Sequence, residues 1–107
     1  EEEGIGAVVA KSPEELGQKL YEKNGCAACH TLDGSNSVGP TFKGLFGKTE
    51  PLQDGTSVLA DENYLRESIL LPQEKIVAGY APVMPSFKGL LKDEEVDAII
   101  AYIKTLK

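Results

Sequence analysis

The sequence predicts an all-α fold, and three observations carry that prediction. Three segments repeat apolar residues at helical spacing between residues that start and stop helices. The stretches between them are rich in Gly, Ser, Asn, Asp and Pro and hold no sustained period. No strand-pairing signal and no internal repeat runs through the 107 residues. A chain of that length makes one domain, and folding buries roughly two-thirds of its unfolded surface.

Residues 1–11 carry no period, include Gly4 and Gly6, and read as a linker or tail. The domain is therefore expected over residues 12–107. Ser12-Pro13-Glu14-Glu15 is a strong helix start: Ser12 caps, Pro13 suits the first helical position, and Glu15 completes a capping box. Leu16, Leu20 and Tyr21 give this helix its apolar face. Gly17 lies beside them and costs about 1 kcal/mol against Ala in a helix, so the expected return is close approach of a second helix. Asn24-Gly25 marks the stop.

Residues 31–59 read as irregular loop, with one turn of helix expected around Phe42 to Phe46. So long a loop in a compact domain needs something to wrap. The second helix is expected over residues 61–71, capped by Asp61, with Tyr64, Leu65, Ser68 and Ile69 on one face and Pro72 as terminator. Residues 73–91 return to loop, marked by Gly79, Pro82, Pro85 and Gly89. The last helix is expected over residues 93–106. Val96, Ile99, Ile100 and Ile103 form its stripe. Acidic residues Asp93, Glu94, Glu95 and Asp97 open it and Lys104 and Lys107 close it, as the helix dipole favours.

The formal net charge is −6, and Glu1, Glu2 and Glu3 supply half of it. The rest is nearly balanced, which argues against nucleic-acid binding and against strong long-range steering. No apolar run approaches a membrane span, and no charged, apolar leader opens the chain. The chain does not begin with Met, so its expected origin is a processed product or a piece of something longer.

Both cysteines and the one histidine fall in Cys26-Ala27-Ala28-Cys29-His30. Cys-x-x-Cys-His is the attachment site of a c-type haem. The two thiols would become thioethers on the porphyrin edge, and His30 would reach the iron from one face. A redox Cys-x-x-Cys expects a βαβ setting that this sequence lacks. A structural zinc needs four ligands, and no further Cys or His exists. A disulfide across two residues would add little stability.

The second axial position has one candidate by composition. Met84 is the sole methionine and sits in Pro82-Val83-Met84-Pro85. The plain alternative is a core gap-filler. Against that, the residue lies in a Pro-flanked loop and not on an amphipathic face. Two prolines restrict the backbone that carries the sulfur. Met opposite His is a known haem ligand pair.

Taken together the chain resembles the class I cytochrome c family over nearly its whole length. The matching pieces are Gly17-x-x-x-Tyr21, the Cys26–His30 motif, and Gly39-Pro40-Thr41-Phe42-Lys43-Gly44-Leu45-Phe46-Gly47. The Met84 loop and Ile99-Ile100-Ala101-Tyr102-Ile103-Lys104 complete them. The resemblance implies three to five helices around one covalently bound haem. Its first and last helices should cross closely, with Gly17 near Ile99 and Tyr102. It also implies that the Pro40 carbonyl accepts the second nitrogen of His30, and that Phe46, Leu65, Ile69, Tyr80 and Phe87 line the haem. For each lining residue the alternative is plain core packing. Relatives of the mitochondrial type carry Arg and Trp against a propionate. Here Lys48 stands in the first place and no Trp exists, so Lys48 and Arg66 are only candidates for that contact.

A narrower resemblance covers residues 55–70 and 76–87. They look like the cytochrome c domain fused to subunit II of caa-type haem–copper oxidases. That resemblance implies a haem c domain on the extracytoplasmic side, tethered through an upstream part of the chain. Its electrons would come from a redox protein, a cytochrome or a quinol-oxidising complex, and pass to the oxidase's dinuclear copper domain. A free soluble electron carrier is the alternative. A haem enzyme or gas sensor with an open iron position is the third class.

Overall fold

A computed structural model describes residues 10–107. The expected tail, apart from Ala10 and Lys11, lies outside the described residues. The ordered elements are α1 (Pro13–Lys23), β1 (Thr49–Pro51), β2 (Ser57–Leu59), α2 (Glu62–Leu70) and α3 (Asp93–Thr105), with one turn of 3-10 helix at Cys26–Ala28.

α1 starts as its residues dictate. Ser12 Oγ accepts from the Glu15 N–H at 3.1 Å, and Pro13 occupies the first turn. The Glu15 carboxylate reaches back to the Lys11 N–H, one residue ahead of the cap, so the reciprocal half of the box forms a residue early. At the far end the Asn24 N–H closes on the Leu20 carbonyl. Gly25 then takes φ 78°, the left-handed conformation that glycine adopts without penalty, and turns the chain straight into Cys26.

α1 and α3 cross at Gly17. A Cβ built on Gly17 would stand 2.0 Å from the Ala98 carbonyl oxygen and 2.7 Å from Tyr102 Cβ. The close contact therefore falls on Ala98 and Tyr102, with Ile99 beside it in the core. Leu20, Val96, Ile99, Ile100 and Ile103 are all but sealed from solvent around this crossing. α2 adds Tyr64, Leu65 and Ile69 to the same core. Its cap is Asp61, whose carboxylate accepts from the Tyr64 N–H at 2.9 Å.

The long second loop departs from expectation in two places. The single helical turn expected around Phe42 to Phe46 is replaced by two successive turns, Leu45 N–H to Phe42 carbonyl and Lys48 N–H to Leu45 carbonyl. Strand pairing, for which no signal was read, is present. β1 and β2 form an antiparallel hairpin in the register Thr49↔Leu59, Glu50↔Val58, Pro51↔Ser57. Strands of three residues are too short to show a period of two, and Asp54-Gly55 at the bend was the available turn signal. The hairpin is tied to the loop after α2 through Gln53 N–H to the Ile76 carbonyl and Ala78 N–H to the Pro51 carbonyl.

Candidate functional site

These elements leave one large cleft between the Cys26–Ala28 turn, the hairpin, α2 and the loop carrying Met84. It encloses about 1090 Å³ of non-atom space, part of it open to solvent. Cys26, Cys29 and His30 line it, and so do Pro40, Leu65, Ile69, Tyr80, Met84 and Phe87. Residues far apart in sequence thus converge on one apolar space.

His30 is fixed from several directions. Its Nδ1–H donates to the Pro40 carbonyl at 2.7 Å. A carbonyl only accepts, so the proton sits on Nδ1 and Nε2 keeps its lone pair. Burial pushes the imidazole below its ordinary value, against a smaller upward pull from Pro40. The neutral ring is therefore the resting form at neutral pH. Phe42 stacks on the ring at 4.6 Å and 18°. The Tyr21 hydroxyl donates to the His30 backbone carbonyl. Gly39 lies against the ring so closely that an added Cβ would meet His30 Cε1 at 2.5 Å. Gly39→Ala is expected to displace the imidazole and break its bond to Pro40. In a protein carrying the haem that Cys-x-x-Cys-His implies, loss of its low-spin spectrum at near-native helix content by circular dichroism is the check.

Met84 is half-buried on the opposite loop. The backbone around it is tied down on both sides. Gln73 Nε2 donates to the Pro82 carbonyl at 3.0 Å. Ser86 Oγ donates to the Leu70 carbonyl at 2.6 Å, and Phe87 N–H to the Ile69 carbonyl at 3.1 Å. The prolines restrict the loop, and these bonds anchor it to the end of α2.

Cys26 and Cys29 are free and half-buried. Burial raises the Cys26 thiol above its ordinary value. Redox Cys-x-x-Cys pairs depend on a lowered thiol, so the shift argues against that alternative. Among the described residues no group of three or more His, Cys, Asp or Glu is arranged to hold a metal ion.

Phe46 is the predicted lining residue that the fold does not bring to the cleft. It is 39% exposed and lies under the Lys104 ammonium at 5.1 Å. The turn that buries Leu45 sends its neighbour outward. Arg66 is likewise engaged elsewhere, by Asp97 of α3. Lys48 is bonded to Glu50 at 3.2 Å. Three further positions at the site carry no local signal in the sequence: Gly39 and Phe42, which pack against His30, and Glu50, a buried acid on the cleft wall.

A covalent macrocycle fits these residues. The cleft is chiefly apolar, two thiols stand at its edge, and a neutral imidazole with a free lone pair lies on its wall.

Comparison with known proteins points the same way. Residues 14–107 match the family described as Cytochrome c. Cytochrome c2 of Rhodospirillum rubrum is 32% identical over 95% of this chain and 87% of its own length. Cytochrome c oxidase subunit 2 of Alkalihalophilus pseudofirmus is 33% identical over 98% of this chain but 30% of its own length. Among solved structures, cytochrome cH from Methylobacterium extorquens superposes with a TM-score of 0.61 at 31% identity, covering 84% of this chain and 95% of that one.

Proposed function

The chain belongs to the cytochrome c family, a family of electron carriers that bind haem c, and from that premise we propose that His30 and Met84 are the two axial ligands of one haem attached through Cys26 and Cys29. The observation that carries this reading is the convergence of all four side chains on one apolar cleft. Haem c supplies a reversible one-electron couple. His30 offers Nε2 while Pro40 orients its ring, and the anchored loop presents the Met84 thioether. With His30 and Met84 both committed to the haem, no coordination position would remain for a substrate. Leu65, Ile69 and Phe87 line the cleft with apolar surface, which would disfavour the more highly charged oxidised state of a bound haem.

We further read the domain as the electron-delivering end of a terminal oxidase's subunit II, on the extracytoplasmic side. The match to an oxidase subunit over 98% of this chain supports that reading. So does the resemblance of residues 55–70 and 76–87. A redox protein would be the donor and the copper domain the acceptor, with membrane attachment through the upstream part. No described helix is long and apolar enough to cross a membrane. A free-standing carrier is the second reading, favoured by the cytochrome c2 match along 87% of that relative. The coding sequence upstream of Glu1 decides between them: a dinuclear copper domain there supports the oxidase, a secretion leader alone supports the free carrier. For the couple itself, potentiometric titration of the holoprotein should give one reversible one-electron wave, and the reduced form should not bind carbon monoxide.

Val38, Ala81 and Val83 line the cleft and are exposed, Ala27 and Ala28 are exposed beside the cleft-lining Cys26 and Cys29, and Lys43, Lys48, Lys88 and Lys92 are scattered along the chain. The docking face is thus small and apolar, and charge contributes little to it. Raising salt from low to physiological ionic strength is expected to change the transfer rate by less than about threefold. A steep loss measured by stopped flow would show that docking is electrostatic.

A further inference from the structure

Among the described residues Glu50 alone is a charged side chain sealed from solvent, at 3% exposure. β1 turns it inward and exposes Thr49 and Pro51 on either side. It lines the cofactor cleft with Tyr64 of α2 and Lys75 of the following loop. Its counter-charge is the Lys48 ammonium at 3.2 Å. The pair is asymmetric: the Lys48 side chain is 58% exposed, the Glu50 side chain 4%. Water and salt screen the ammonium and barely reach the carboxylate. The other charges nearby do not cancel it. Lys75 is engaged by Glu67 at 2.5 Å. The Tyr64 hydroxyl is pushed up, chiefly by burial and further by the Glu50 and Glu67 charges. The cleft wall therefore carries a net negative field at this point.

We propose that Glu50 tunes the reduction potential of the protein, its buried carboxylate favouring the oxidised state and Lys48 limiting the effect. The proposal rests on the reading that the cleft holds a redox-active haem. Glu50 is a positioning charge and not an iron ligand, so its removal should move the potential without altering the ligand spectrum.

The test is the midpoint potential of the holoprotein at neutral pH for the parent, Glu50→Gln, Lys48→Gln and Glu62→Gln. Glu62 is a control, an exposed carboxylate paired with Lys104. Glu50→Gln should raise the reduction equilibrium constant about tenfold, which is ~59 mV for a one-electron couple. The rise should persist at high salt with unchanged visible and near-infrared spectra. Lys48→Gln should lower the potential, and Glu62→Gln should change the constant less than about twofold. A Glu50→Gln shift no larger than that of the control, or a downward one, overturns the proposal. If Glu50→Gln does not retain haem, Lys48→Gln decides: an unchanged or raised potential overturns it. A parent holoprotein with no reversible one-electron couple overturns instead the reading beneath it.

Discussion

Met84→Ala is expected to give a protein that folds, retains covalent haem and no longer behaves as a closed electron carrier. Its ferrous form should bind carbon monoxide rapidly, and the thioether-to-ferric charge-transfer band should vanish. The midpoint potential should fall by on the order of 0.2 V, within the roughly 0.8 V range that axial ligation spans. The stability cost should be small beside this. The Met84 side chain is half-buried, so its truncation removes only part of the ~2–5 kcal/mol that a sealed Met→Ala change costs. The loop keeps its ties through Pro82, Ser86 and Phe87, none of which uses the thioether. A variant that keeps the parent's spectrum and potential shows that some other group holds the sixth position.

Gly17→Ala sets two opposed effects against each other, and their magnitudes decide the sign. Alanine gains about 1 kcal/mol over glycine in a helix interior. The new methyl would lie 2.0 Å from the Ala98 carbonyl oxygen and 2.7 Å from Tyr102 Cβ. Both are backbone or backbone-adjacent atoms, so rotating a side chain cannot relieve the clash. The helices must separate, and overpacking of this kind typically costs 1–3 kcal/mol or more. An approach of 2.0 Å to backbone places the cost at the top of that range, so a net loss of about 2 kcal/mol is expected, a drop of roughly 8–16 °C in melting temperature for a domain near this size. The absorption spectrum of the haem should survive at low temperature, because the crossing lies outside the cleft lining. An unchanged or raised melting temperature would show that the crossing has slack.

The three helices were legible because their signals are local. Ser12-Pro13, Asp61 and the acidic start of α3 lie within one turn of the ends they set, and observed ends fall within one residue of those read from sequence. The Cys26–His30 motif stands out because it is contiguous, and Met84 was a candidate because the chain holds no other; the fold brings them to one cleft. The hairpin was not legible, because three-residue strands are too short to show a period of two, and its bend and Pro51 are tied to residues 76–78, far along the chain. Phe46 was misplaced for a related reason. Its motif neighbour Leu45 takes the inward position, and only the turn geometry decides which of two adjacent apolar residues goes inside. Gly39 and Phe42 act on His30 from nine and twelve positions away, a relation that no local pattern encodes.

By itself, then, the chain's order of residues determined the cofactor chemistry and the helical class, since both depend on groups adjacent in sequence or repeated at a fixed period. Tertiary structure decided what surrounds that chemistry. It set His30 between Gly39 and Phe42, anchored the Met84 loop to α2, turned Phe46 out and turned Glu50 in. Those outcomes depend on which surfaces meet across the fold, and a charge such as Glu50 acquires its force only when packing removes the water around it.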